Sequence, residues 1–245
     1  MTTRPIAALV DLLLPRTCGG CAGTAGPPGS GGWCPACAEA TGGPHVVRVP
    51  GVGRVAAAGR YRGPLRRAVV VHKERGRRDL GPDLAALLVP VVAAVLPPQA
   101  DPDRLWLVPA PSRPRAARAR GGDHVVALCR ALEGRLAAAG LPARTAPVLA
   151  LSSRARDSVG LGTAARAANL TAAMHLAGPR RSGGPAQLPP ADEPVLLVDD
   201  VVTTGATLRV CRAVLEGSGV DVAGAVVLAD ATTSTGSRPA RPREM

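Results

Sequence analysis

Residues 195–207 read Val195-Leu-Leu-Val-Asp-Asp-Val-Val-Thr-Thr-Gly-Ala-Thr207, and this stretch decides the fold. Its first four side chains are apolar without alternation, the pattern of a strand covered on both faces. Two acids close the run, and residues from 205 or 206 to 216 then take helical spacing. In open α/β sheets, ligands bind beyond the carboxyl ends of the strands. A loop that opens a helix presents unpaired backbone N–H groups and the positive end of the helix dipole, which suits a phosphate. Gly205 permits close backbone approach, and Thr203, Thr204 and Thr207 add hydroxyl donors. Asp199 and Asp200 would lie near such a phosphate without touching it, placed to accept hydrogen bonds from a sugar diol. Helix capping alone explains one threonine. It leaves unexplained the paired acids and the three threonines around one glycine.

Outward from this segment, the chain alternates strands and helices. Residues 55–61 read as a strand, and 64–73 as a helix with an Arg-rich face. Pro82 opens a longer helix over 83–96, which Pro97-Pro98 ends. Residues 104–108 form a short apolar run stopped by Pro109, as in a buried parallel strand. A basic loop leads to a helix over 123–139, stopped by Gly140. Residues 143–149 read as another strand, 163–174 as a helix, 178–194 as a loop and 223–228 as the last strand. Such alternation predicts an α/β domain with a largely parallel sheet flanked by helices. Residues from about 232 onward read as a disordered tail.

Near the amino terminus stand two pairs, Cys18-Gly-Gly-Cys21 and Cys34-Pro-Ala-Cys37. Two such knuckles, separated by a Gly- and Pro-rich loop, can place four thiolates around one tetrahedral Zn²⁺. Disulfides or a redox pair are the competing readings. A reducing cytosol disfavours the first, and the second needs no duplicate. Four protein ligands leave no position for a catalytic water, so the expected zinc is structural. Cys129 and Cys211 sit among Ala, Val and Leu and read as small core residues. His45, His72, His124 and His175 lack ligand spacing, and none is assigned to a metal.

The 245 residues carry a net charge of +12, 46% hydrophobic residues, 1% aromatics and no Phe, so the core must be Ala, Val and Leu. Positive charge admits nucleic acid as a partner, but equally a solvated surface or a small polyphosphate. Single-strand binders stack bases on aromatic side chains, and here Trp33, Trp106 and Tyr61 are all that could serve. Residues 6–14 form an apolar run interrupted by Asp11, read as a short helix. The run over 84–96 is too short to span a bilayer and contains Pro90. A cytoplasmic protein without membrane insertion is expected.

At these residues the chain resembles the ComF/GntX family, a four-cysteine zinc module joined to a type I phosphoribosyltransferase domain. Further matches are Tyr61-Arg-Gly-Pro-Leu65, Lys73-Glu-Arg-Gly76, Val108-Pro109 ahead of Arg120-Gly121, and Arg166 with Asn169. The resemblance implies a small zinc-ribbon-like module over 1–48, a phosphoribosyltransferase-like domain over 49–232 and a tail over 233–245. It implies that Asp199 and Asp200 hold the ribose hydroxyls of 5-phosphoribosyl 1-pyrophosphate. Thr203, Thr204, Gly205, Ala206 and Thr207 would bind its 5-phosphate, and Arg120 the leaving pyrophosphate with its Mg²⁺. Arg156, with Arg154, would belong to a loop closing over the site. The chain departs from the family at Arg120-Gly-Gly-Asp-His124, where Arg-Gly-Phe-Asn-Gln is usual. It also lacks a Gln usual near Ser158. Lys73, the single lysine, reads as either a surface pair with Glu74 or a substrate contact that a guanidinium cannot supply. An alternative implied by the family name is a competence factor that acts on DNA uptake through DNA or a DNA-processing protein. The basic stretch over 60–78 would serve that role.

Overall fold

The computed structural model describes residues 17–25, 32–96, 104–152, 163–178 and 187–232. After a short helix α1 (Pro35–Glu39), β1 (His45–Val46) pairs antiparallel with β2 (Arg54–Arg60). Helices α2 (Gly63–Glu74) and α3 (Gly81–Val95) follow, then β3 (Leu105–Pro109), α4 (Pro114–Ala119), α5 (His124–Ala138) and β4 (Ala143–Thr145). A two-stranded ribbon of β5 (Leu149–Leu151) and β6 (Met174–Leu176) brackets α6 (Thr163–Ala173). The chain closes with β7 (Val195–Val202), α7 (Ala206–Glu216) and β8 (Val222–Asp230).

The main sheet runs β1-β2-β8-β7-β3-β4, parallel throughout except at the β1–β2 pair. Strand alternation divides the core into two layers. Leu196 and Val198 face the layer built with α2, α3 and α5, while Val195 and Leu197 face the layer that includes Leu208, Cys211 and Leu215 of α7. Those three α7 residues recur at the spacing of one helix face. Both layers are made mainly of Val, Leu and Ala, as the composition required. The mixed α/β fold with a mostly parallel sheet is the expected one.

Connectivity places a crevice at one position. From β3 the chain passes through α5 to β4, towards one edge of the sheet. From β7 it passes through α7 to β8, towards the other edge. Because β3 and β7 are neighbours, the loops at their carboxyl ends diverge and leave a gap, the arrangement in which α/β sheets bind ligands.

Local details differ from the sequence reading. Residues 143–149 do not form one strand. Pro147 lies in the break between β4 and β5, where a residue without an N–H cannot extend a ladder, and β5 turns to pair with β6. Met174 starts β6 instead of ending a helix. The basic loop contains the short helix α4. The strand expected over 195–198 runs on to Val202, because β8 pairs with it as far as Asp230. Among the described residues no helix is long and apolar enough to cross a membrane.

Gly205 is fixed by geometry at the start of α7. Its φ of 71° lies in the left-handed region, and a Cβ there would stand 2.0 Å from Cγ1 of Val49. Gly205→Ala should therefore lower unfolding stability by more than the about 1–2 kcal/mol of the left-handed penalty alone. The double variant with Val49→Ala should recover the steric part only, as read from denaturant melts of the four proteins in the cycle. Equal losses in the presence and absence of Val49 would refute the clash.

Candidate functional site

Asp199 and Asp200 follow the four buried apolar residues of β7 and, by strand alternation, serve opposite faces of the sheet. Asp200 lies on the side of α2 and α5 and is buried. Its Oδ2 accepts two hydrogen bonds, from Lys73 Nζ of α2 at 2.8 Å and from His124 Nε2 of α5 at 2.8 Å. The apolar face of α2, made of Leu65, Ala68, Val69 and His72, packs against the core and so carries the neighbouring Lys73 to the strand end. His124 arrives because Asp123 caps α5: its Oδ1 accepts the N–H of Val125 at 2.9 Å, and its Oδ2 accepts the N–H of Ser112 at 2.8 Å.

The other ring nitrogen of His124, Nδ1, meets Arg120 Nη1 at 3.2 Å and Ser112 Oγ at 3.3 Å. Arg120 donates there, and the Asp200 carboxylate must accept at Nε2. These contacts are satisfied when Nε2 donates to Asp200 and Nδ1 accepts from Arg120. Arg78 Nη2 donates to the carbonyls of Arg120 and Gly121, both at 2.7 Å, and pins the turn before Asp123. A pocket of 310 Å³ opens over this junction. Its walls include Lys73, Ser112, Arg120, His124, Asp199, Asp200 and Thr207.

The two acids are electrostatically unlike. Burial would raise the Asp200 carboxyl, but the hydrogen bond from His124 and the charge of Lys73 hold it well below the usual carboxylate range. Asp199 is pushed well above that range by burial and by the charge of Asp200; its Oδ1 accepts the Asp200 N–H at 2.8 Å. Burial works against the charge of Lys73, yet the two aspartates more than offset it and raise its pKa.

Around Gly205, Thr203 and Thr204 are exposed, while Ala206 and Thr207 are partly covered. The N–H of Ala206 donates to Thr204 Oγ1 at a long 3.4 Å. Other amides of the first turn of α7 have no intrahelical acceptor.

The structure brings Lys73, Arg120, Asp199, Asp200 and Thr207 to one pocket. Thr203, Thr204, Gly205 and Ala206 continue from β7 into α7 beside it. Lys73 is paired across the fold with Asp200, and not with its neighbour Glu74. Arg154, Arg156 and Ser158 lie outside the described residues. His124, Ser112 and Asp123 were not singled out by sequence as site residues. The nearest sequence signal was the position of His124 directly after Arg120-Gly-Gly-Asp, and it said nothing about Asp200, which is 76 residues away.

Cys18, Cys21, Cys34 and Cys37 form the second cluster. Their sulfurs all lie within 4.8 Å of one another, with Cys21 and Cys34 at 3.8 Å, and none is in a disulfide. Sulfurs about 2.3 Å from a tetrahedral Zn²⁺ stand roughly 3.8 Å apart, so the set suits a metal such as zinc. Burial would raise the Cys18 thiol, but N–H groups of Cys34, Cys21 and Gly20 bring it down to about 6. An amide-stabilised thiolate of this kind is what a metal ligand requires. Cys18, Trp33 and Cys37 share one hydrophobic cluster with Leu65 and Leu80. Gly32 N–H donates to Asp83 Oδ2 at 2.7 Å, and Arg77 reaches the Thr17 carbonyl at 2.9 Å.

Residues 148–244 match the phosphoribosyl transferase domain family. No curated protein sequence matches the chain. Among solved structures, one HPRT carrying glutamic acid in place of an invariant aspartic acid is 18% identical, over 69% of this chain and 74% of that one, with a TM-score of 0.30. The corresponding asparagine mutant is 18% identical, over 64% and 67%, with a TM-score of 0.29.

His72 supplies a pH test of this region. It is buried, its Nδ1 donates to the Arg77 carbonyl at 3.1 Å, and burial lowers its pKa. A base with a folded pKa below its unfolded value of about 6.5 stabilises the fold above that value. This contribution is lost as pH falls towards the folded pKa. His72→Gln should therefore show a smaller drop in unfolding free energy between pH 7.5 and pH 5.5 than the wild type. Parallel slopes would mean that His72 is not held neutral.

Proposed function

We propose that the chain binds 5-phosphoribosyl 1-pyrophosphate together with Mg²⁺ and transfers the phosphoribosyl group, in the manner of a ComF-type phosphoribosyltransferase. The observation that carries this reading is the junction at the carboxyl ends of β3 and β7. There two carboxyls of unlike electrostatics, Lys73, Arg120 and Thr207 share one pocket, and the helix-opening threonine–glycine segment runs on from the same strand beside it. The phosphoribosyl transferase match over 148–244 supports it, as does a four-cysteine cluster ahead of that region.

In this reading the amides and hydroxyls of residues 203–207 hold the 5-phosphate at the start of α7. Asp199 and Asp200 accept hydrogen bonds from the ribose 2- and 3-hydroxyls. Breaking the bond between C1 and the pyrophosphate oxygen leaves positive charge on the ribose ring and a full negative charge on the departing group. The carboxylate of Asp200 stabilises the first. Lys73 and Arg120 stabilise the second by donating N–H groups to its oxygens. Mg²⁺ chelated by the pyrophosphate, when bound, supplies further charge neutralisation. A nitrogen nucleophile, or water, forms the new bond to C1. By the family resemblance, Arg156 would belong to a segment that covers the site.

The cysteine cluster serves as a structural zinc site, and a reducing, cytoplasmic compartment suits its four thiols. A DNA-uptake role through single-strand stacking has less support. Trp33 and Trp106 are buried, and some cations of the basic stretch are engaged within the protein. Arg60 binds Asp230 at 2.5 Å, Arg77 binds Asp79 at 2.8 Å, and Arg66 lies over the Tyr61 ring.

Calorimetric titration of 5-phosphoribosyl 1-pyrophosphate with Mg²⁺ should give micromolar binding to the wild type and none to Asp199→Asn/Asp200→Asn. A folded wild type that takes up no ligand would overturn the reading. For the cluster, metal analysis should find one zinc per chain, and its removal by a chelator should lower Tm. Cys37→Ser should bind no zinc and melt at the temperature of the chelated wild type. Full stability after metal removal would rule out a structural zinc.

A further inference from the structure

The wall formed by Lys73, Arg120 and His124 has two sides. One faces the pocket assigned above to the sugar phosphate. The other faces a separate cavity of 390 Å³, whose lining also includes His72, Arg78 and Arg130. Four permanent cations and two imidazoles thus surround one space. The carboxylate in its lining, Asp123, is occupied by the N–H groups of Ser112 and Val125. Lys73 is paired with Asp200, and Arg120 approaches Glu74 at 3.8 Å. Arg78 and Arg130 have no acidic partner among the described residues. Arg78 is nevertheless held in place through its hydrogen bonds to the Arg120 and Gly121 carbonyls.

Like-charged side chains gathered without counter-charge repel one another, which a bound anion relieves.

We propose that this cavity is a second anion site, which takes a phosphate-class oxyanion such as inorganic pyrophosphate alongside the sugar phosphate and not in its place. The claim of simultaneous occupancy rests on the functional reading above. The claim of an anion in this cavity does not. Lys73 and Arg120 belong to both walls, so the two ligands draw on the same cations and each must weaken the other. By linkage the weakening is equal in both directions.

The test is calorimetric titration of inorganic pyrophosphate into the full chain, free and saturated with 5-phosphoribosyl 1-pyrophosphate and Mg²⁺, for wild type and Arg130→Glu. Arg130 is exposed on α5 and lines only the second cavity of the two. Saturated wild type should still take up one pyrophosphate, about fivefold or more weaker than the free protein. Arg130→Glu should lose at least tenfold of that affinity and keep its affinity for the sugar phosphate. A saturated protein that takes up no pyrophosphate, or an Arg130→Glu variant that binds it like wild type, would overturn the proposal. Should the sugar phosphate itself fail to bind, the functional reading falls alone, and free wild type against Arg130→Glu still decides the second site. In a parallel arm with a nucleoside triphosphate, tighter binding than pyrophosphate assigns the cavity to a nucleotide's phosphates. Weaker binding assigns it to the free ion.

Discussion

A buried carboxylate must be paired, and the pairing of Asp200 organises the whole site. Its Oδ2 holds Lys73 from α2 and His124 from α5, two helices joined to β7 by no short stretch of chain. Removing either partner would leave charge stranded in a poorly solvated position, a far larger penalty than the pair itself returns. The constraint extends further through the histidine. With Nε2 committed to Asp200, Nδ1 is left to accept from Arg120, so the residue expected at the leaving group is oriented by the residue expected at the ribose. Any ligand that draws Lys73 or Arg120 towards itself must loosen Asp200 from its present partners. The ribose and pyrophosphate ends of the pocket are therefore coupled by chemistry, and not only by proximity.

The sequence made some of this legible because certain interactions are local. A run of four apolar residues followed by acids, threonines and glycine encodes a strand, a loop and a helix within thirteen positions. The chain could fold that segment in few other ways. The same holds for the two CxxC pairs, whose spacing already sets four sulfurs within reach of one another. What escaped reading was long-range. Nothing near His124 announces Asp200, and the Lys73–Glu74 neighbourhood suggests a surface pair where the fold instead makes a half-buried bridge. The break at Pro147, with the antiparallel β5–β6 ribbon, was hidden for a related reason. Short three-residue strands carry too little pattern to distinguish a continuing strand from one that changes partner.

The cysteine cluster shows a different kind of dependence. Cys18, Trp33 and Cys37 pack with Leu65 of α2 and Leu80 ahead of α3. A Cβ on Gly19 would stand 2.5 Å from Leu80, and one on Gly20 would stand 2.7 Å from the Cys37 sulfur. These glycines serve close approach twice over, to the sulfurs and to the helices. The cluster thus bears on the first turns of the helix that carries Lys73. A structural metal here would act on the site by holding in position α2, whose Lys73 stands far along the chain from the last ligand, Cys37.

Charge distribution is the final step. A net charge of +12 on a chain this small favours polyanions in general, but the arrangement is more selective than the total. Arg60, Arg77 and Arg212 are tied to acids, and both tryptophans lie in the core. Arg78 and Arg130, without acidic partners among the described residues, border a cavity of a few hundred cubic ångströms, a size that suits a compact ion and not a strand. Excess positive charge would be expected to scatter over exposed convex surface if its purpose were solubility. Here Lys73, Arg78, Arg113, Arg120 and Arg130 line two adjoining concave spaces that share Lys73 and Arg120. Convergent cations in partly desolvated pockets act on ligand charge through a lower local dielectric than the open surface offers. Small, highly charged phosphates gain most from that setting.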